Sequence, residues 1–359
     1  MKVIIAAGGT GGHLYPGIAI AREALRDPGN EVLFVGTMQG IEARVLPKEN
    51  LPVRFITVGR LKGMGLLARI RTLVTLPASL FQSLSLLRKE RPDVVVGIGG
   101  YASGPVALAA RLRGRPLLIV EPNSYAGLAN RVLGKVANRI FLCFPGRDRQ
   151  GFFPERKKEL IGPLVRKGID AGKTDAACAA FGLASGRFTV FAMGGSGGAH
   201  AINMAMKDAA PELAKLPDIQ VLHQTGEKDA AEVAAGYRAA GLPAKVLPFI
   251  DDMAGAYAAA DLVVSRSGAT TVAELAVCAK HAVLIPFPFA ADNHQEFNAR
   301  SLAAERGGAD VIIQKDLTPE LLVRTIRAQA GKREERIAAM PSTAAEEIVR
   351  VCGTYVQKN

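Results

Sequence analysis

The 359-residue chain has no tryptophan, and aromatic residues make up only 6% of it. Recognition of a sugar by aromatic stacking has little material to draw on. The four cysteines, Cys143, Cys178, Cys278 and Cys352, lie far apart and form no C-x-x-C pair. That argues against a disulfide scaffold and a zinc site, and it fits a reducing cytosol. No D-x-D triplet occurs. A divalent cation held between two such aspartates is therefore not expected, and the expectation here is no metal and no cofactor. A long apolar run is missing too. The most membrane-like uncharged stretch, TLVTLPASLFQSLSLL (Thr72–Leu87), contains a proline and is too short to cross a bilayer. The opening MKVIIAA reads as a strand rather than a secretory segment.

What is present is a chain 49% hydrophobic and 22% charged, long enough for two cores. Its charge is uneven. Residues 1–163 hold 24 Lys and Arg against 11 Asp and Glu, a net +13, whereas residues 164–359 hold 21 against 22, a net −1. A basic first half is expected to meet something anionic: nucleic acid, a membrane surface or a phosphorylated substrate. The stretch Gly59–Arg91 gathers Arg60, Lys62, Arg69, Arg71, Arg88, Lys89 and Arg91 around apolar residues, with Glu90 the only acid. For Arg60–Arg71 an anionic lipid surface and a plain solvated helix end both fit. Leu73–Leu87 reads as a buried crossover helix. Few aromatics interleave with these cations, which argues against nucleic acid.

Strand-like runs alternate with helical ones throughout. In the first half they are KVIIAA, EVLFVG, VRFITV, DVVVGIGG, PLLIVE and RIFLCF. In the second they are FTVFAMGG, IQVLHQTG, KVLPF, DLVVS, AVLIPF and ADVIIQ. Continuous apolar runs of this kind predict parallel strands covered on both faces. The segment AAGGTGGH (Ala6–His13) has an echo in AMGGSGGAH (Ala192–His200), and each joins a strand to a helix. The pattern predicts two doubly wound α/β domains whose glycine turns face each other across a cleft. The boundary is expected near IGPLVRKG (Ile161–Gly168), giving domains 1–163 and 164–340. Whether 341–359 packs back on the first is left open.

The first glycine loop fits neither the dinucleotide nor the P-loop template; from Gly9, the third glycine of the former would fall at Leu14. The physics survives the failed templates. Glycines allow close backbone approach, and a helix N-terminus presents free N–H groups to an anion. A tight turn without a ligand is the alternative. His13 falls in the first helical turn, where the dipole favours neutral imidazole and so a general base; a turn-capping role is the alternative. A third corner, DLVVSRSGATTVAELA (Asp261–Ala276), brings Arg266, hydroxyls and a helix start together, which suits a diphosphate. Glu274, a turn further on, could accept both hydroxyls of a ribose; a solvated glutamate is the alternative.

Taken in order, GGTGGHLYPG, GIGGYASGP, EPNSYAGLANR, GPLVR, GGSGGAHAIN, FIDDMAGAYAAADLVVSRSGATTVAE and PFPFAADNHQEFNA resemble the MurG family. These are UDP-N-acetylglucosamine transferases that make lipid II for peptidoglycan, and the likeness runs nearly end to end. The resemblance implies a GT-B fold, two Rossmann-like domains with the UDP-sugar on the second and the lipid-linked acceptor on the first. It implies donor contacts from Thr10, Gly11, Gly12, Asn123, Arg166 and Ser196. It also implies contact of uracil with the Ile250 backbone, of diphosphate and ribose with Ala269, Thr270, Thr271, Val272, Ala273 and Glu274, and of the sugar with Gln295. Tyr101 would lie near the acceptor. His13 would be the catalytic base. The implied partners are UDP-GlcNAc, undecaprenyl-pyrophosphoryl-MurNAc-pentapeptide (lipid I) and an anionic membrane, with no nucleic acid. The implied location is peripheral, on the cytoplasmic face of the bacterial membrane.

Two departures matter. The family often has H-E-Q-N where this chain has Val120-Glu121-Pro122-Asn123, so Glu121 stands beside His13 as a candidate base. Gly197 replaces a glutamine usual in the second loop. Another GT-B enzyme, such as a glycolipid synthase or a UDP-GlcNAc epimerase, and a non-catalytic membrane protein remain alternatives; the failed fingerprint argues against an oxidoreductase.

Overall fold

The computed structural model describes residues 1–58, 66–145, 151–166, 168–169, 174–332, 335 and 337–356, apart from the side chains of 66–75. Arg60, Lys62 and the side chains of Arg69 and Arg71 therefore lie outside the described residues. Packing divides the chain into two units, Met1–Arg166 with Pro341–Asn359, and Lys167–Met340.

The first unit is built on strands β1 (Lys2–Ala7), β2 (Glu31–Gly36), β3 (Val53–Phe55), β4 (Val94–Gly99), β5 (Leu117–Glu121), β6 (Arg139–Leu142) and β7 (Lys158–Leu160). Among the described residues they form one sheet in the order β3-β2-β1-β4-β5-β6-β7, with every pair parallel. Its central strands are buried along their whole length, as unbroken Val and Ile runs require. Helices α1 (Gly11–Ala24), α2 (Glu42–Lys48), α3 (Leu66–Glu90), α4 (Ser103–Leu112) and α5 (Leu128–Leu133) connect the strands.

The second unit repeats the plan with β8 (Phe188–Met193), β9 (Ile219–Gln224), β10 (Ala244–Leu247), β11 (Leu262–Ser265), β12 (His281–Leu284) and β13 (Ala309–Val311), ordered β10-β9-β8-β11-β12-β13 and again parallel. Its helices are α6 (Asp175–Ala180), α7 (His200–Asp208), α8 (Ala210–Leu213), α9 (Ala230–Ala239), α10 (Met253–Ala259), α11 (Ala269–Cys278), α12 (His294–Arg306) and α13 (Pro319–Ala330). The last helix, α14 (Ala344–Val356), belongs to the first unit, where it packs on α1 and β4.

In both sheets the chain reverses direction at the first strand of the unit. That is the switch point at which open α/β sheets bind ligands outside the carboxyl ends of their strands.

The crossover helix differs from the expectation. Ser79, Ser83 and Leu87 of α3 face inward, four residues apart. The Ser79 hydroxyl donates to Thr57 O at 2.7 Å, and the Ser83 hydroxyl donates to Ser79 O at 2.8 Å. Phe81 falls on the opposite side and is 77% exposed, with Leu76 also outward. Within 76–87, Leu80, Leu84, Leu86 and Leu87 pack on the core while Leu76 and Phe81 stay at the surface. Among the described residues no helix is long and apolar enough to cross a membrane.

Candidate active site

The first glycine corner follows β1. Gly9 takes a left-handed φ of +85°, Thr10 is extended, and α1 begins at Gly11. Thr10 N-caps the helix with its carbonyl, which accepts from Leu14 N at 3.1 Å, rather than with its side chain. His13 sits in the first turn, its Nδ1 3.3 Å from Thr10 Oγ1. Its ring lies against Gly99, where a Cβ would come within 2.8 Å of His13 Cδ2; Gly99 also has a φ of +120°. A side chain at 99 would evict the imidazole.

The β4 corner packs onto the β1 corner backbone to backbone. A Cβ on Gly100 would sit 2.2 Å from Gly8 O, and one on Gly9 would touch the Tyr101 ring at 3.7 Å. Ser103 Oγ accepts from Gly99 N at 3.0 Å and lies 2.6 Å from Ala6 O, closing the two strand ends together. Tyr15 lies beside Gly11 and carries the Arg166 guanidinium over its ring at 4.5 Å. A partly exposed stack of this kind contributes about 0.5–1 kcal/mol. Thr10, Gly11, Gly12, His13, Tyr101 and Arg166 are therefore gathered around one corner.

Two buried carboxylates stand behind the first unit's loops. Glu121, at the end of β5, is 2% exposed. Its Oε1 accepts from Asn123 N at 2.9 Å and Asn123 Nδ2 at 3.1 Å. Its Oε2 accepts from Gly127 N and Asn130 Nδ2, both at 2.9 Å. Burial pushes this carboxyl above its usual range, against the pull of those four N–H groups. With both oxygens engaged and no access to solvent, Glu121 is built to hold the loop that carries Asn123. The second carboxylate, Glu42, was not singled out in the sequence. It is fully buried at the start of α2 and accepts from Gly9 N at 2.8 Å, Thr37 N at 2.7 Å and Thr37 Oγ1 at 3.0 Å. The signal that could have found it is a lone acid that follows Gly36 and Gly40 just after a strand.

In the second unit, Met193 pairs in register with Gln224 on one side and Ser265 on the other, and Ser265 pairs with Leu284. The loops leaving β8, β9, β11 and β12 therefore emerge in one row. Ser196 and its neighbours Gly195 and Gly197 are exposed, with open space around both glycines. Gly198 and Gly226 serve packing instead. Their φ values are +75° and +79°, and a Cβ would lie 1.8 Å from Thr225 O or 2.4 Å from Gly197 O respectively. The Thr225 turn is held in turn by Asn203 Nδ2, which donates to Thr225 O at 2.8 Å. Gln224, also missed in the sequence, donates from Nε2 to Gly195 O at 2.8 Å and accepts at Oε1 from Ile250 N at 2.9 Å. A base bound at Ile250 N–H would have to displace that amide.

α11 starts after Gly268 with no side-chain cap, so its first turn, around Ala269, Thr270 and Thr271, begins as a helix N-terminus of the kind that suits an anion. Ser267 Oγ donates to Gln295 O at 2.8 Å, and Asn298 Nδ2 donates to Ser267 O at 3.1 Å, which brings Gln295 to this helix start. Gln295 Oε1 accepts from Phe287 N at 3.0 Å. Val272 and Ala273 are buried in the helix. Glu274 is also buried and accepts from the Tyr257 hydroxyl at 2.9 Å, so the solvated alternative is excluded.

Arg266 corrects an expectation. Its guanidinium turns away from the helix start and donates to Ile285 O, Pro286 O and Gln314 Oε1 at 3.0, 3.2 and 2.6 Å, with its face on Phe287. Burial lowers its pKa to about 10, which leaves it charged at neutral pH. It ties β11 to the ends of β12 and β13 and is not an arm aimed at a diphosphate. Among the described residues no group of three His, Cys, Asp or Glu is arranged to hold a metal.

Two parallel α/β units with glycine corners at their switch points are the frame of a nucleotide-sugar transferase. Residues 3–142 match the Glycosyltransferase family 28 N-terminal domain, and residues 189–352 match the Glycosyltransferase family 28 C-terminal domain. The chain is 46% identical over 363 residues to the UDP-N-acetylglucosamine–N-acetylmuramyl-(pentapeptide) pyrophosphoryl-undecaprenol N-acetylglucosamine transferase of Myxococcus xanthus (strain DK1622), covering 98% of this chain and 92% of that protein. It is 47% identical over 367 residues to the protein of the same name from Geobacter sp. (strain M21), covering 100% and 97%. The crystal structure of Acinetobacter baumannii MurG superposes with a TM-score of 0.75 at 31% identity, over 98% of this chain and 99% of that one. A UDP-GlcNAc 2-epimerase from Methanocaldococcus jannaschii shares the fold alone, with a TM-score of 0.65 at 14% identity over 99% and 100%. The chain belongs to the MurG family, and its fold is GT-B.

Proposed function

We propose that this chain moves GlcNAc from UDP-GlcNAc to the 4-hydroxyl of the MurNAc residue in lipid I, forming lipid II. The observation that carries this is the 46% identity to a MurG relative over 98% of the chain. The second unit holds the donor. Its row of loops offers Ser196, the Ile250 backbone, the α11 N-terminus and Gln295 on adjoining strand ends. The first unit holds the acceptor, with Tyr101 beside the corner that carries His13.

In the reaction the acceptor oxygen attacks the anomeric carbon, and its proton passes to the His13 imidazole. The new C–O bond forms as the bond to the diphosphate breaks, and the electron pair leaves with UDP. One displacement converts the α-linked donor to a β-1,4 product. Charge developing on UDP is met by the N–H groups at the start of α11, since Arg266 is tied to backbone carbonyls.

Membrane attachment at the cytoplasmic face is supported by the first unit. Phe81, Leu112, Leu128 and Val132 are exposed there, along with Arg88, Lys89, Arg111 and Arg113.

The test is transfer of radiolabelled GlcNAc from UDP-GlcNAc to a soluble lipid I analogue, with the linkage of the product determined. A β-1,4 disaccharide is expected. Conversion of UDP-GlcNAc to an epimer without acceptor, or transfer to a different lipid only, would overturn the reading.

A further inference from the structure

The glycines of the first corner have an occupant. A Cβ on Gly8 would lie 2.4 Å from Glu42 Oε1, one on Gly36 2.4 Å from Glu42 Cγ, and one on Gly40 2.0 Å from Glu42 Oε2. Three glycines from two loops thus clear a seat for one carboxyl group. That group is fully buried and spans the corner: Oε2 takes the Gly9 N–H, while Oε1 takes the N–H and the hydroxyl of Thr37. A strand-to-helix corner of this kind ordinarily leaves such an N–H for a phosphate. Here a side chain of the same chain supplies the anion. A second negative group at Gly8–Gly9 would meet a buried carboxylate instead of a free N–H.

We infer that Glu42 is a positioning residue for His13: its carboxylate fills the anion seat of the first glycine corner and fixes the backbone from which the imidazole projects. The chain path is short. Gly9, held by Glu42, adopts its φ of +85°; Thr10 follows, caps α1 with its carbonyl and meets His13 Nδ1 through Oγ1. Loss of the Gly9 anchor frees the residue next to the cap, and the backbone that aims the imidazole at Thr10 Oγ1 and the Gly99 wall is no longer fixed. Both oxygens must accept. A glutamine in place of Glu42 would turn its NH₂ on either Gly9 N–H or Thr37 N–H, so two donors would face each other. The inference rests on the reading of His13 as the base.

The experiment measures steady-state transfer by the full chain to a soluble lipid I analogue for Glu42→Gln, His13→Ala and the double variant, below their melting temperatures. Glu42→Gln is expected to lower kcat about 100-fold, as a displaced catalytic group does. Any rise in KM for UDP-GlcNAc should be smaller than the fall in kcat, because the Ile250 backbone and the start of α11, which meet the nucleotide, lie in the other unit. The double variant should be no slower than His13→Ala alone, since Glu42 acts only through the imidazole. Should Glu42→Gln fail to fold, Thr37→Val, which deletes one of the three donors to Glu42, carries the test with a kcat loss of about threefold to tenfold and the same non-additivity. Unchanged kcat in both variants, a rise in KM in place of the fall in kcat, or losses that multiply with His13→Ala would overturn the inference. A wild type without transfer activity would instead count against the proposed function itself.

Discussion

Glu121 stood as a rival base, and its surroundings predict how its removal will behave. Glu121→Ala removes the acceptor of four N–H groups, the part-buried Asn123 N, Asn123 Nδ2 and Gly127 N and the buried Asn130 Nδ2, which keeps Val120 O and Ile98 O as partners. Unmade buried hydrogen bonds cost about 1–3 kcal/mol each. Water entering the vacated space, and relief from desolvating the carboxylate, offset part of that. The net loss expected is about 3 kcal/mol at neutral pH, in line with breaking one side of a buried charged network. For a unit of this size it corresponds to a fall in Tm of about 6–12 °C.

The loss should depend on pH. Burial raises the native pKa of this carboxyl above its ordinary value of 4.5, so the native state binds the proton more tightly than the unfolded chain. The contribution of Glu121 is then greatest below about pH 4.5 and declines as pH rises through the raised native value. Thermal unfolding of wild type and variant across pH reads both quantities, and the gap between the two should narrow with rising pH. Activity measured well below the variant's Tm should keep its acid limb, because the base is elsewhere. A variant as stable as wild type that loses turnover about 1000-fold or more, together with its acid limb, would show Glu121 to be the base and refute the reasoning.

Other positions give sharp outcomes. Gly198→Ala places a methyl group 1.8 Å from Thr225 O at a φ of +75°, so it should destabilise the second unit by about 3 kcal/mol or more, read by urea unfolding. Arg266→Ala should lower stability by about 2 kcal/mol through its lost carbonyl contacts, yet leave KM for UDP-GlcNAc within about threefold. A large rise in that KM would restore Arg266 as a diphosphate ligand. Phe81→Asp should weaken sedimentation with anionic vesicles about tenfold without changing transfer to a soluble acceptor; unchanged sedimentation would remove α3 from the membrane contact.

Much of the scaffold was legible because buried parallel strands are written as unbroken apolar runs. KVIIAA and EVLFVG coincide with β1 and β2 residue for residue. Other runs were read too long at the carboxyl end: VRFITV yields only Val53–Phe55, and ADVIIQ only Ala309–Val311, because both are edges where pairing stops before apolarity does. β7, Lys158–Leu160, was not read at all. At a sheet edge a charged KEL segment pairs on one side and carries no hydrophobic signature.

The corners were visible from their glycines, but the purpose of each glycine was not. Gly198 and Gly226 make room for a neighbouring backbone, Gly99 for the His13 ring, and Gly8, Gly36 and Gly40 for the Glu42 carboxyl. For Gly8, Gly99, Gly198 and Gly226 those neighbours come from distant segments of the chain, which local spacing cannot reveal; only Gly36 and Gly40 lie close in sequence to the Glu42 they make room for. The same holds for the acids. Glu42, Glu121 and Glu274 read as surface residues by type and are all buried, because their partners, Thr37 and Gly9, Asn123 to Asn130, and Tyr257, are assembled only by the fold. Arg266 was misassigned for the same reason: its carbonyl partners lie on another strand end.

The most direct test of the account compares His13→Ala with wild type in two assays on the same preparations, calorimetric binding of UDP and transfer of GlcNAc to a soluble lipid I analogue. The account predicts UDP affinity within about twofold of wild type and turnover reduced about 100-fold to 10,000-fold, with the acid limb of the pH–rate profile abolished. Turnover equal to wild type with its acid limb intact would contradict it.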